Sequence, residues 1–108
     1  MKMQIKKFKK VKSTNDIAIN LIKKSISKPT LIITEIQTNG RGRIGKKWIS
    51  KKGNLFISLF FKFNPKKINF KQFSVLNALV IKKVISSKIL KKKIKIKWPN
   101  DLLINNKK

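Results

Sequence analysis

The chain has 108 residues, a formal net charge of +26, and neither cysteine nor histidine. That length allows one small domain with a modest core. The missing residue types exclude disulfides, thiolate nucleophiles, imidazole bases and metal sites built on His or Cys.

In chain order, residues 3–11 read as a short strand whose alternation is blurred by lysines. Ser13 opens a helix expected over about 14–27: Ser13-x-x-Asp16 resembles a capping box with Asp in place of Glu, and Ile17, Leu21, Ile22 and Ile26 follow at helical spacing. Lys28-Pro29 is the expected stop. Residues 31–36, rich in β-branched side chains, read as a buried strand. Residues 37–53 form a polar, cationic, glycine-bearing loop, too long for a simple turn.

Residues 54–63 are apolar almost throughout and are expected to be a central strand. A helix follows over 70–89, its apolar face made by Phe73, Leu76, Val80, Ile81, Val84 and Ile85 around the polar Asn77. Residues 94–98 alternate as a strand, Pro99-Asn100 turns, and residues 102–104 form another strand. Asn105-Asn106 is a tight-turn pair with little chain behind it, so that strand is expected to lack a hairpin partner and the chain reads as cut off in mid-fold. The apolar run 55–61 is interrupted by Ser58 and is too short to span a bilayer. No apolar stretch follows the basic first twelve residues as a secretory signal requires. A cytoplasmic protein with no membrane partner is expected.

The 29 basic residues include only two arginines, Arg41 and Arg43. A charge of this size suggests a nucleic-acid partner. Scattered lysines beside abundant Ile, Asn and Phe are also what A/T-rich codons produce, whereas phosphate and base recognition draws on the forked guanidinium. The arginines are focused where the lysines are not. All four glycines lie at 40, 42, 45 and 53, and the three acidic residues are Asp16, Glu35 and Asp101.

Three clusters therefore carry the unusual residues. Gly40-Arg41-Gly42-Arg43-Ile44-Gly45 combines backbone free to approach an anion with forked donors for carboxylate or phosphate oxygens. Gly-x-Gly-x-x-Gly suggests a dinucleotide fold, but no helix follows the loop as that fingerprint requires. Ser13-Thr14-Asn15 sets three small hydrogen-bonding side chains at a helix mouth, which ordinary capping also explains. Lys97-Trp98-Pro99-Asn100-Asp101 joins an indole, a rigid turn, an amide and a carboxylate, which a core Trp with a stabilised turn also explains.

Taken in order, Ser13-Thr14-Asn15, then Gln37-Thr38-Asn39-Gly40-Arg41-Gly42-Arg43 with Trp48 and Ser50 behind it, then Lys97-Trp98-Pro99-Asn100-Asp101 with Lys108 beyond, the clusters resemble the catalytic domain of biotin protein ligases over essentially the whole chain. The resemblance implies an α+β fold of the class II synthetase and biotin/lipoate ligase kind: a mixed β-sheet with packed helices, truncated here to the N-terminal portion of the domain. It implies that biotin and ATP, with Mg²⁺, form biotinyl-5′-AMP, and that the biotinyl group passes to a lysine of the carrier domain of a biotin-dependent carboxylase.

By the same resemblance, Ser13, Thr14, Asn15 and Gln37 hold the biotin head group. Arg41, Gly42 and Arg43 line its carboxylate and later the phosphate, and Lys108 contacts the activated carboxyl. Arg43, Lys108 and Asp101 are the implied catalytic groups. Gly40, Gly45 and Trp48 support the loop, Asn100 and Asp101 belong to the turn facing the site, where they position ligand or Mg²⁺, and Lys97 is a further site residue. No metal ligand is assigned with certainty. The chemistry suits an inventory without Cys or His, because carboxylate attack on a phosphate needs two anions brought together and fixed cationic donors. No helix-turn-helix precedes Ser13, so specific nucleic-acid binding is not expected. Other readings are a lipoate-protein ligase of the same fold, a small basic nucleic-acid-binding protein, and an inactive fragment.

Overall fold

A computed structural model describes residues 2–89 and 92–108. They form two compact units, Met1–Phe63 and Asn64–Lys108.

The first unit is built on a three-stranded mixed sheet. β1 (Gln4–Val11) runs parallel to β2 (Thr30–Gln37), and β5 (Phe56–Phe60) runs antiparallel on the other side of β2. α1 (Thr14–Lys23) connects β1 to β2 and packs on β2 and β5. Alternation along the strands decides which side chains face inward. Thr30, Ile32 and Thr34 of β2 are buried, and so are Phe56 and Ser58 of β5, paired with Thr34 and Ile32 respectively. The core is sparse. Ile32 is the one large apolar side chain among the described residues with no exposure, and Thr30 and Thr34 donate to the carbonyls of Lys28 and Ile36. Those bonds offset the cost of taking their hydroxyls out of water.

Two expectations need correction in this unit. Residues 54–63 do not make a central strand: β2 is central, and β5 bonds to β2 alone. A continuous apolar run implied burial on both faces, yet Ile57 and Leu59 are about half exposed while Phe56 and Ser58 face the core. Pairing, not composition, sets strand position. α1 also stops at Lys23, short of Lys28-Pro29. Ser25 adopts a left-handed backbone (φ 62°), its N–H donates to the Ile22 carbonyl, and the Ile26 N–H donates to the Leu21 carbonyl. That is a Schellman stop, which usually needs glycine and here uses serine.

Between β2 and β5 the chain makes a small separate hairpin. β3 (Gly40–Arg41) pairs with β4 (Lys47–Trp48), and a 3₁₀ turn over Arg43–Gly45 forms the tip.

In the second unit, α2 (Phe70–Lys88) packs on a hairpin of β6 (Ile94–Lys97) and β7 (Asp101–Ile104). Asn69 caps α2 by accepting from the Lys71 N–H at 3.0 Å. The buried stripe is centred on Ala78, with Val75, Lys82 and Ile85 partly covered, while Leu76, Val80, Ile81 and Val84 are about half exposed. The expected apolar face is therefore rotated. The helix is apolar around much of its circumference, so periodicity selects no single face.

The Pro99-Asn100 turn folds β7 antiparallel onto β6 in the register Lys97 opposite Asp101, and no further strand among the described residues pairs with β7. Asn105 and Asn106, both with positive φ, turn the chain again, and Ile104 and Lys107 exchange backbone hydrogen bonds at 2.8 and 3.1 Å. This is the two-residue turn that an Asn-Asn pair favours.

Candidate ligand-binding site

The mouth of α1 is where sequence and structure converge. Ser13 is the N-cap, with extended backbone, and its hydroxyl accepts from the Asp16 N–H at 3.3 Å. The other half of the capping box is absent. The Asp16 carboxylate reaches instead to the Arg41 guanidinium on β3, in an ion pair about half exposed on both sides. An aspartate one methylene shorter than glutamate is free to turn outward, so Asp16 both faces the helix N-terminus and anchors the arginine-glycine hairpin.

Behind this mouth lies a continuous polar network. Gln37, at the end of β2, accepts the Thr14 N–H on Oε1 at 3.0 Å and donates from Nε2 to Ser50 Oγ at 3.0 Å. Ser50 donates in turn to the Trp48 carbonyl at 3.2 Å. Ser58, from β5, lies 2.8 Å from Thr14 Oγ1 and donates to Asn15 Oδ1 at 2.6 Å. Ser13, Thr14 and Ser58 are buried, and no buried side-chain nitrogen or oxygen among the described residues lacks a partner. A fully satisfied network of this kind fixes rotamers.

The hairpin lies beside Gln37. Gly40 is buried, and a β-carbon there would stand 2.7 Å from Gln37 Nε2, 2.8 Å from Ser50 Oγ and 2.9 Å from the Trp48 carbonyl. The position requires glycine for space. Gly45 requires it for conformation, with φ 68° at the tip. Ile44, next to it, also takes a left-handed backbone (φ 54°) and is 98% exposed. A pocket of about 290 Å³ opens here, lined by Gln37, Asn39, Gly40, Trp48 and Ser50 among others. Arg43 sits on the exposed tip, one residue from Gly42, whose N–H is held by the Lys46 carbonyl at 2.6 Å.

In the second unit, Asp101 stands across the β6–β7 ladder from Lys97, and Lys108 Nζ lies 3.0 Å from its Oδ1. Trp98 and Asn100, in the connecting turn, are exposed.

The first unit thus brings together Ser13, Thr14, Asn15, Gln37, Gly40, Arg41 and Trp48, and the second brings together Lys97, Asp101 and Lys108. Sequence reasoning missed Ser58 as a member of the site. Its signal was the one polar residue inside the run 55–61. The partnership of Asp16 with Arg41 was also missed, although both belong to scarce residue types. Among the described residues no three acidic, His or Cys side chains gather to hold a metal, and no helix is long and apolar enough to cross a membrane.

Comparison with known proteins shows which family the chain resembles. The description of the biotin/lipoate A/B protein ligase family matches residues 7–108. The bifunctional ligase/repressor BirA of Bacillus spizizenii is 33% identical over 99 residues, which cover 91% of this chain and 30% of that protein. BirA of Escherichia coli is 36% identical over 77 residues, 70% of this chain and 24% of the relative. Among solved structures, the biotin acetyl coenzyme A carboxylase synthetase of Helicobacter pylori, with bound biotinylated ATP, superposes with a TM-score of 0.81 at 26% identity, over 97% of this chain and 51% of the other. The Aquifex aeolicus biotin protein ligase, in complex with biotin and ATP, gives 0.73 at 32% identity, over 92% and 40%. The chain spans no more than about a third of the curated relatives' length and about half or less of the solved ones'. On sequence and fold alike, the chain belongs to the biotin/lipoate A/B protein ligase family.

Proposed function

We propose that this chain supplies the biotin-binding part of an ATP-dependent biotin–protein ligase. The observation that carries the reading is the polar network joining Thr14, Gln37, Asn15 and Ser58 beside an arginine-glycine hairpin anchored by Asp16. A neutral cyclic urea needs fixed donors and acceptors, and a carboxylate or phosphate needs forked cations. The two kinds of group stand next to each other along the chain, and solved relatives hold biotin and ATP.

In this reading a biotin carboxylate oxygen attacks the α-phosphorus of ATP. The new C–O–P linkage forms as the bond to pyrophosphate breaks, and pyrophosphate leaves with the electron pair. The ε-amine of a carrier lysine then attacks the acyl carbon, losing a proton as AMP departs, and leaves an amide. Ser13, Thr14, Asn15 and Gln37 orient the urea. Arg41 and Arg43 oppose the negative charge, while the Gly42 N–H is already given to the Lys46 carbonyl. None of these groups needs to be a nucleophile, because the chemistry is positioning and electrostatic stabilisation.

Mg²⁺ would accompany the nucleotide and neutralise its phosphates. The carboxylates Asp16 and Asp101 each already face a cation, Arg41 and Lys108. The donor set therefore does not form a metal site of its own, and no step is routed through the ion. The partner is the carrier domain of a biotin-dependent carboxylase, and the compartment the cytoplasm.

Titration with biotin and, separately, with lipoate tests the reading directly. Binding of biotin in preference to lipoate, with pyrophosphate release on adding MgATP and label transfer to a carrier domain, is the expected result. A preference for lipoate, or for polynucleotide at moderate salt, would overturn it.

A further inference from the structure

Ser58 lies on β5 with its side chain 8% exposed, opposite Ile32, and its hydroxyl meets two oxygens at once. Asn15 Oδ1, 2.6 Å away, is a carbonyl oxygen and can only accept, so the single Ser58 proton belongs to it. The 2.8 Å contact with Thr14 Oγ1 must then run the other way, Thr14 donating to Ser58. Gln37 Oε1, at 3.4 Å, is too far to compete for that proton and already accepts the Thr14 N–H at 3.0 Å. With its proton committed, Thr14 Oγ1 has only lone pairs to offer. Asn15, its oxygen turned to Ser58, keeps both Nδ2 N–H groups to offer. Ser13 Oγ accepts from Asp16 N–H and keeps its own proton to give.

We infer that Ser58 is a positioning residue that sets the hydrogen-bond polarity of the cradle, with an acceptor at Thr14 and donors at Ser13 and Asn15. This deepens the biotin reading and rests on it. The polarity suits a group carrying an N–H and a C=O side by side, as a cyclic urea does. A dithiolane ring has neither and gains nothing. Without the Ser58 hydroxyl, Thr14 can turn its proton toward the ligand and set donor against donor.

The test compares wild type, Ser58→Ala and Ser58→Thr by calorimetric titration with biotin, with thermal unfolding as a control. Ser58→Ala should weaken biotin by about tenfold, a lost bond's worth, and Ser58→Thr, which keeps a hydroxyl, should restore most of it. The effect should pass through Thr14, so adding Ser58→Ala to Thr14→Val should cost almost nothing further. A folded Ser58→Ala protein that binds biotin as tightly as wild type overturns the inference, as does an undiminished penalty in the Thr14→Val background. If Ser58→Ala does not fold, Ser58→Cys, of similar size but a weak donor, is read for the same two outcomes. Failure of the wild-type chain to bind biotin would instead sink the biotin reading itself.

Discussion

Gln37, the last residue of β2, accepts the main-chain N–H of Thr14, the first residue of α1, at 3.0 Å across 23 positions of sequence. The first N–H groups of a helix have no partner within it. Here a side chain from a neighbouring strand takes one of them and locks the helix mouth to the end of the central strand. The same amide holds Ser50 through its nitrogen, so a single side chain joins helix, strand and hairpin.

Gln37→Ala should therefore cost more than an average polar truncation. It strands a partly buried N–H and frees Ser50, and a loss of about 1–3 kcal/mol is expected in urea unfolding. Gln37→Glu should be nearly as damaging. It keeps the acceptor for Thr14 but replaces the donor to Ser50 with an oxygen, and biotin affinity should fall with it. Equal stability of wild type and Gln37→Ala would show that the bond is incidental.

Gly40→Ala tests the space requirement. A methyl group there meets the Trp48 carbonyl at 2.9 Å, and a backbone atom cannot swing away as a side chain can. Overpacking on the order of 1–3 kcal/mol is expected, together with loss of the Gln37–Ser50 bond. Gly42→Ala is the control: its nearest contact is 3.4 Å, so the change should be much smaller. Matched unfolding curves decide between them.

Much of this was legible because the scarce residues did the signalling. Ser13 at a helix mouth, the glycine-arginine loop and the Trp-Pro-Asn-Asp turn each stand out from a lysine- and isoleucine-rich background, and each falls at an element boundary. What escaped was set by pairing. The position of β5 at the side of β2, and the face that α2 buries, depend on which neighbour each element meets, and an apolar stretch does not encode that neighbour. The end of α1 escaped for another reason. Ser25 adopts the left-handed stop without the glycine that normally announces it. Ser58 was visible as an interruption but not as a partner, because its partners lie 43 and 44 residues away.

Ile44 offers a separate prediction about strain. A β-branched side chain with φ 54° pays about 1–2 kcal/mol in local sterics, and at 98% exposure it recovers nothing by packing. Ile44→Asn, better suited to that region, should raise stability by something near 1 kcal/mol. Ile44→Gly should gain less, since added freedom in the unfolded chain offsets the relief. Chemical denaturation of the three proteins gives the order: Asn, then Gly, then Ile.

The arginines should matter to ligand binding in a way the lysines do not. Arg41 is already steered by Asp16, while Arg43 stands exposed at the tip, one peptide from a backbone N–H held in place by Lys46. If the hairpin grips the carboxylate or phosphate, Arg43→Ala removes a charge-assisted contact, and a loss of about 1.5–3 kcal/mol in binding biotinyl-5′-AMP is expected. Lys23 and Lys24 lie at the opposite end of α1 from Ser13 and share only the general positive field. Their double replacement by alanine should change the affinity by a few tenths of a kcal/mol at most in physiological salt, because exposed charges beyond a Debye length are screened. Asp16→Asn should fall between. It costs little stability, since the ion pair is half exposed, but it releases Arg41 from a fixed direction. Calorimetric titration of all four proteins at low and at physiological salt separates the cases. An Arg43 effect that persists in salt marks a directed contact. Equal losses from Arg43→Ala and from the lysine pair, both abolished by salt, would mean that the net charge alone does the binding.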